Sequence, residues 1–434
     1  MSKISKIKAF QILDSRGLPT IATKVYLDDG RFALASVPSG ASTGQKEALE
    51  LRDGEKEFGG KGVNIAIKNV NNVLAKLLEG KNVYNQEEID QIMIDADGSE
   101  FKSNLGANAI LSVSLAVAKA GARAMKIPLH QYFNEMYENI SGNETDQVLP
   151  TPMLNILNGG EHADNNIDLQ EFMIIPCASS FSESIRWASE IYWKLKDLLK
   201  AQNLSTAVGD EGGFAPNLES NEQALKLIED AIHQNDLEPG RDVFISLDCA
   251  SNEFFSEENY ILEKGNKTLR NAEFVNYLSD LCAKYPIISI EDGIAENDLM
   301  GWKILTQTLG KKCQLVGDDL FVTNEKLLEA GIQSNVANSI LIKYNQIGTI
   351  TETIKCICLA RKSGYTSIIS HRSGETEDSS IADLAVGTGT KQIKTGAPCR
   401  SDRVAKYNRL LMIEAENSFI FGSKSAFKNF IKDS

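Results

Sequence analysis

Ile287-Ile288-Ser289-Ile290-Glu291 is a short apolar run that stops at a carboxylate, and the pattern recurs along the later part of the chain. Phe244-Ile245-Ser246-Leu247 ends at Asp248, Gln314-Leu315-Val316-Gly317 at Asp318, and Ile340-Leu341-Ile342 at Lys343. Ser367-Ile368-Ile369-Ser370 runs into His371-Arg372-Ser373, and Gln392-Ile393 ends at Lys394. From Glu291 onward these ends are roughly 22 to 29 residues apart, room for one strand, one helix and short loops. Apolar strands alternating with helices predict a parallel sheet covered by helices. A polar residue closing each strand places a site at the carboxyl face. An open sheet would spread those ends along an edge, whereas a barrel converges them on one mouth, so the number of contributing strands favours the (β/α) barrel.

The region before this repeat reads differently. Residues 26–32 hold an Asp-Gly turn between two alternating runs, a hairpin signal. Ala107–Met125 is Ala-rich and apolar around much of its circumference, which predicts a buried helix. The polar stretch 138–147 reads as a connection. The expected organisation is an N-terminal α+β capping domain over 1–138, a barrel over 148–416 and a tail over 417–434.

The 434 residues, 42% hydrophobic, can bury one large core and a second smaller one. The net charge of −14 argues against a general binder of nucleic acid or anionic membrane. The opening MSKISKIKAFQILDSRG has no apolar run behind its basic residues, so no signal peptide is expected, and no stretch is long enough to span a membrane. Seven scattered cysteines, 177, 249, 282, 313, 356, 358 and 399, read as buried reduced thiols. Two glycosylation-type triplets, at Asn139 and Asn143, read as chance matches in a polar loop.

Asp248, Glu291 and Asp318 are three carboxylates on successive strand ends, and converging negative charge calls for a cation. All-oxygen ligation favours magnesium or manganese over zinc. Singly, each acid would serve as well as a helix cap; together with two lysines and an arginine on neighbouring strands they favour a metal site. Lys343 and Lys394 are either partners of those acids or, for one of them, a general base whose pKa is lowered by nearby cations and burial. The sequence 371–376, His-Arg-Ser-Gly-Glu-Thr, joins a guanidinium, a hydroxyl and a turn glycine, suited to a phosphate group. Residues 158–162 with Gln170-Glu171-Phe172, and the acidic, glycine-rich 208–217 carrying Glu211, are turns that matter only where they face the mouth. The glycine- and serine-rich 39–44 reads as a mobile turn of lid type.

These segments together resemble the enolase family, in its bacterial form, over almost the whole chain. The carrying motifs are SGASTG (39–44), NGGEHADNN (158–166), LQEFM (169–173), GDEGGFAPN (209–217), SIEDG (289–293), GDDLFVTN (317–324), LIKYNQIG (341–348) and SHRSGETED (370–378). The resemblance implies an eight-stranded barrel with one early strand antiparallel, under an N-terminal α+β domain. It implies reversible dehydration of 2-phosphoglycerate to phosphoenolpyruvate with two magnesium ions per site. Asp248, Glu291 and Asp318 would hold the first ion, and Ser42, from the lid, the second. Lys343 would be the base at carbon 2, and Glu211 the acid at the carbon 3 hydroxyl, assisted by Glu171 with His162 nearby. Gln170, Lys343, His371, Arg372, Ser373 and Lys394 would contact substrate.

The family further implies a cytoplasmic homodimer, in some bacteria an octamer. Some members have a cell-surface or secreted pool, bind plasminogen, or join RNA-degrading assemblies; the ending Phe430-Ile431-Lys432-Asp433-Ser434 lacks the terminal lysine linked to plasminogen capture. Direct nucleic-acid binding is not expected. The rival readings are a dehydratase of unphosphorylated acid sugars within the same superfamily, and a non-catalytic surface or assembly role.

Overall fold

The computed structural model describes residues 2–40 and 44–431. Ser42, the expected lid ligand, lies outside them, as do Ala41 and Thr43.

Strands β1 (Ile4–Leu13), β2 (Pro19–Leu27) and β3 (Phe32–Ser36) form an antiparallel meander in that order. The expected hairpin is present: Tyr26 pairs with Phe32, and Gly30 turns the chain at φ +86°, a backbone conformation open to glycine. Ala107–Met125 is helical as predicted and packs on this sheet, with only Lys119, Arg123 and Met125 short of full burial. The connection begins later than its polarity suggests. The helix Leu129–Ser141 runs through Glu138, because Met136, Tyr137 and Ile140 pack on the core, and it ends at Gly142 in the left-handed conformation.

Two short strands, β4 (Val148–Leu149) and β5 (Thr151–Asn158), lead into β6 (Glu171–Pro176) and β7 (Val243–Asp248). A small meander, β8 (Phe255–Ser256), β9 (Asn259–Leu262) and β10 (Lys267–Leu269), stands apart. Then come β11 (Ile287–Glu291), β12 (Gln314–Gly317), β13 (Ser339–Ile342), β14 (Thr366–Ser370) and β15 (Gln392–Lys394). The closed barrel runs β5-β6-β7-β11-β12-β13-β14-β15 and back to β5. Every neighbouring pair is parallel except those made by β6, which opposes both β5 and β7. Reversal of β6 has a direct consequence for the site: its first residue, Glu171, stands at the mouth where the other strands present their last.

The barrel interior is a separate apolar cluster of Met153, Met173, Ile175, Phe244, Ile288, Val316, Leu341 and Ile368. A second, larger cluster lies between the strands and the outer helices. Double-sided burial is why the strands read as continuous apolar runs. At the end opposite the mouth the tail returns: β16 (Ile420–Phe421) pairs with β4, and the turn Ser423–Phe427 inserts fully buried Phe427 into the interior cluster. All seven cysteines are free thiols, Cys356 buried and Cys358 half-buried on the helix Ile350–Lys362. Among the described residues no helix is long and apolar enough to cross a membrane.

Candidate active site

Register brings the first group together. Asp248 is the cross-strand partner of both Glu171 and Glu291, so three buried carboxylates stand side by side on β6, β7 and β11. The Lys394 ammonium at the end of β15 meets all three, at 3.1 Å from Glu171, 3.1 Å from Asp248 and 2.9 Å from Glu291. Burial, then the charge of neighbouring acids, pushes Glu171 and Glu291 well above the ordinary carboxylate range. Burial opposes the charge on Lys394 too, but the surrounding acids hold it well above the ordinary lysine value.

Asp318, just past β12, turns to a different cation. One oxygen meets the Lys343 ammonium and the other accepts from Gln346 Nε2 at 2.9 Å. Against the cost of burial, Lys343 lowers the Asp318 pKa and Asp318 raises that of Lys343. Asp292, held at φ +39°, accepts the backbone N–H groups of Asp318 and Asp319 at 2.9 Å each, which fixes the loop carrying Asp318.

A second group lies around Glu211. Its Oε2 accepts from Asn155 Nδ2 at 3.0 Å, and its Oε1 lies 3.3 Å from His371 Nε2 and 3.9 Å from His162 Nδ1. His162 Nδ1 is also 3.5 Å from Glu171 Oε1, so the imidazole stands between the two acids. Burial first drives Glu211 upward, but His371, His162 and Arg403 hold it well below the ordinary carboxylate range. Burial lowers His162, and it lowers His371 to about 3, so both imidazoles are neutral near pH 7.

Arg372 follows β14 and is buried. Its two Nη atoms grip Glu47 at 2.9 and 3.2 Å, a carboxylate delivered from the N-terminal part of the chain just past the lid stretch. Glu375 accepts the Arg372 N–H at 3.2 Å and receives the Lys406 ammonium at 2.9 Å, which pins the turn. Ser39 and Gly374 exchange backbone hydrogen bonds of 2.7 and 2.8 Å, tying the described start of the lid stretch to that same turn. Gln170 is buried at the foot of β6, its Oε1 without a protein partner.

Asp248, Glu291 and Asp318 therefore reach one mouth, with Lys394 taking two of them and Lys343 the third. Among the described residues, two sets have ligand atoms mutually within 4.8 Å: Asp292 with Asp318 and Asp319, and His162 with Glu171 and Glu211. Four buried acids, Glu171, Asp248, Glu291 and Asp318, share two ammonium groups, and the donors are mostly carboxylate oxygens. That chemistry fits a divalent cation of the hard, oxygen-seeking kind.

Several participants carried no sequence signal. Asn155 is one polar residue inside an apolar strand, Gln346 lies in the one-turn helix Tyr344–Ile347, Glu47 lies in a loop, and Arg403 sits in an ordinary amphipathic helix. Asp292 stood beside Glu291 and would have been found by asking what orients Asp318.

A barrel with one reversed strand, its mouth filled with buried acids and ammonium groups, is the architecture of a barrel lyase. Residues 4–133 match the family model described as the enolase N-terminal domain, and residues 146–430 that of the enolase C-terminal TIM barrel domain. The chain belongs to the enolase family, whose superfamily chemistry is of the lyase or dehydratase type acting on small molecules.

Proposed function

We propose that the chain interconverts 2-phospho-D-glycerate and phosphoenolpyruvate plus water. The observation that supports this most is the Arg372–Glu47 contact. A guanidinium presented at the mouth and already gripping an oxyanion with both Nη atoms suits a phosphate group.

Arg372 and Ser373 receive the phosphate as Glu47 gives way, while Gln170, His371 and Lys394 orient the rest of the substrate. Lys343 removes the proton from carbon 2. It is a base only without its own proton, so as substrate binding loosens its contact with Asp318 the nearby charges of Arg372 and Lys394 favour the neutral amine and its proton passes to solvent. The carbon–oxygen bond at carbon 3 breaks, and the hydroxyl leaves as water with a proton from Glu211. Burial raises the pKa of Glu171 while that of Glu211 is lowered, so Glu171 holds a proton more readily than Glu211 and supplies it through the His162 side of the site. Magnesium, two ions by family resemblance, held by Asp248, Glu291, Asp318 and Ser42, would supply positive charge to the substrate carboxylate.

Purified protein offered 2-phosphoglycerate should generate the ultraviolet absorbance of phosphoenolpyruvate, lose that activity with a chelator and regain it with magnesium. Turnover only of an unphosphorylated acid sugar would replace this reading with the acid-sugar dehydratase. The assembly proposed is a cytoplasmic homodimer, which sedimentation separates from an octamer.

A further inference from the structure

The helix Ser401–Glu416 carries at its third position a guanidinium that is fully buried, that of Arg403. Its stem passes Gly396, where an added Cβ would lie 2.9 Å from Arg403 Cδ. Beyond Gly396 the guanidinium reaches the floor of the site and meets two loops at once. Nη1 donates to His371 Nδ1 at 2.5 Å and to the Arg372 carbonyl at 2.5 Å. Nη2 donates to the Ser373 carbonyl at 2.6 Å and to the Asp210 carbonyl at 3.1 Å. Asp402 Oδ2, 2.8 Å from Nε, balances the charge.

A guanidinium has five N–H donors and no acceptor. At its contact with His371 the ring nitrogen Nδ1 must therefore accept, and the proton of the neutral imidazole must sit on Nε2. Nε2 is the atom 3.3 Å from Glu211 Oε1. The charged groups facing this imidazole are Glu211, Arg403 and Lys394, and a second ring proton would set N–H against N–H at Arg403. The carbonyls that Arg403 holds belong to Arg372 and Ser373 on one loop and to Asp210, next to Glu211, on the other.

We propose that Arg403 is a positioning residue that fixes His371 as its Nε2–H tautomer, sets that N–H 3.3 Å from Glu211, and registers the Glu211 loop against the Arg372–Ser373 loop. The proposal rests on Glu211 being the acid of the proposed reaction, but its first test does not need turnover.

The chain has four histidines, so a long-range proton–nitrogen NMR spectrum of histidine-labelled protein is assignable with a single variant, H371Q. In the wild-type protein His371 is expected to show the Nε2–H pattern between about pH 5.5 and 8. In R403M the tautomer is expected to mix or reverse, and kcat to fall about 100-fold with KM changed less than about threefold. R403K, whose ammonium still donates to Nδ1, is expected to restore the tautomer and part of kcat. An Nδ1–H pattern in the wild type overturns the proposal even where R403M fails to fold. Retention of Nε2–H in folded R403M overturns it whatever the activity. Absence of turnover with 2-phosphoglycerate would count against the reaction assigned above and would leave the spectrum to decide this point alone.

Discussion

Glu171 and Asp248 stand directly opposite each other on antiparallel strands, and each carboxylate lies 3.1 Å from the same ammonium, that of Lys394. In the proposed reaction one acid would serve the proton transfer and the other the cation. Lys394 would then join the two halves of that chemistry.

Lys394→Met should leave Glu171, Asp248 and Glu291 buried without their shared cation and cost about 3–5 kcal/mol of stability. Added magnesium should then raise the melting temperature more in the variant than in the wild type. Thermal unfolding with and without the ion checks this, and an equal or smaller shift would argue against those acids as the ion's ligands.

Lys343→Ala should reduce exchange of the carbon 2 proton with solvent deuterium by at least about 10³-fold while the circular dichroism stays native. Exchange at the wild-type rate in the variant would mean that another group is the base.

Gly396 sits at φ +78°, and an added Cβ would lie 2.8 Å from the Glu211 carbonyl oxygen and 2.9 Å from Arg403 Cδ. Gly396→Ala should destabilise the protein by about 1–3 kcal/mol and lower kcat together with it. Denaturant unfolding and steady-state kinetics read the two effects, and a stable variant of full activity would show that the close approach is unnecessary.

Asp90 places a stability effect in a defined pH window. Burial pushes its carboxyl up to about 6 although Thr351, Ser114 and Gln86 hydrogen-bond to it. An unfolded aspartate titrates near about 3.9, so the folded state holds this proton more tightly. The stability that the proton brings is present below about pH 4 and is lost as pH rises through about 6, roughly 3 kcal/mol in all. Asp90→Asn lacks this loss, so urea unfolding should show the variant gaining on the wild type between about pH 4 and 7. A constant difference across that range would mean that Asp90 is ionised throughout.

The parts of this molecule legible in the chain were those encoded locally. Apolar runs ending in Asp248, Glu291, Asp318, Lys343 and Lys394 announced the strands and the end where these polar residues gather, because burial on two faces leaves few other readings. The reversed strand was legible only through family resemblance: 171–176 is as apolar as its neighbours, and direction leaves no mark on composition. The pairing of cations with acids was also hidden. Lys394 lies far along the chain from Asp248, and only barrel closure makes β15 and β7 share a mouth. Arg403 was invisible for a related reason. Its burial depends on Gly396 letting its stem pass and on carbonyls from two other loops, none of which its own helix records.

Phe427→Ala removes the aromatic ring from the end of the barrel opposite the mouth and should cost about 3–5 kcal/mol. The variant that remains folded should keep wild-type kcat, since the ring touches no site residue. Combined unfolding and activity measurements separate the outcomes, and a large fall in kcat would show that the two ends are coupled.

That ring also sets when the molecule can be finished. β5 must wait for β15 to close the circle, and the last interior space is filled by Phe427, which follows β15 in the chain. Until Phe427 is seated, a partly folded chain carries an unsealed apolar lumen that folding helpers would be able to grasp.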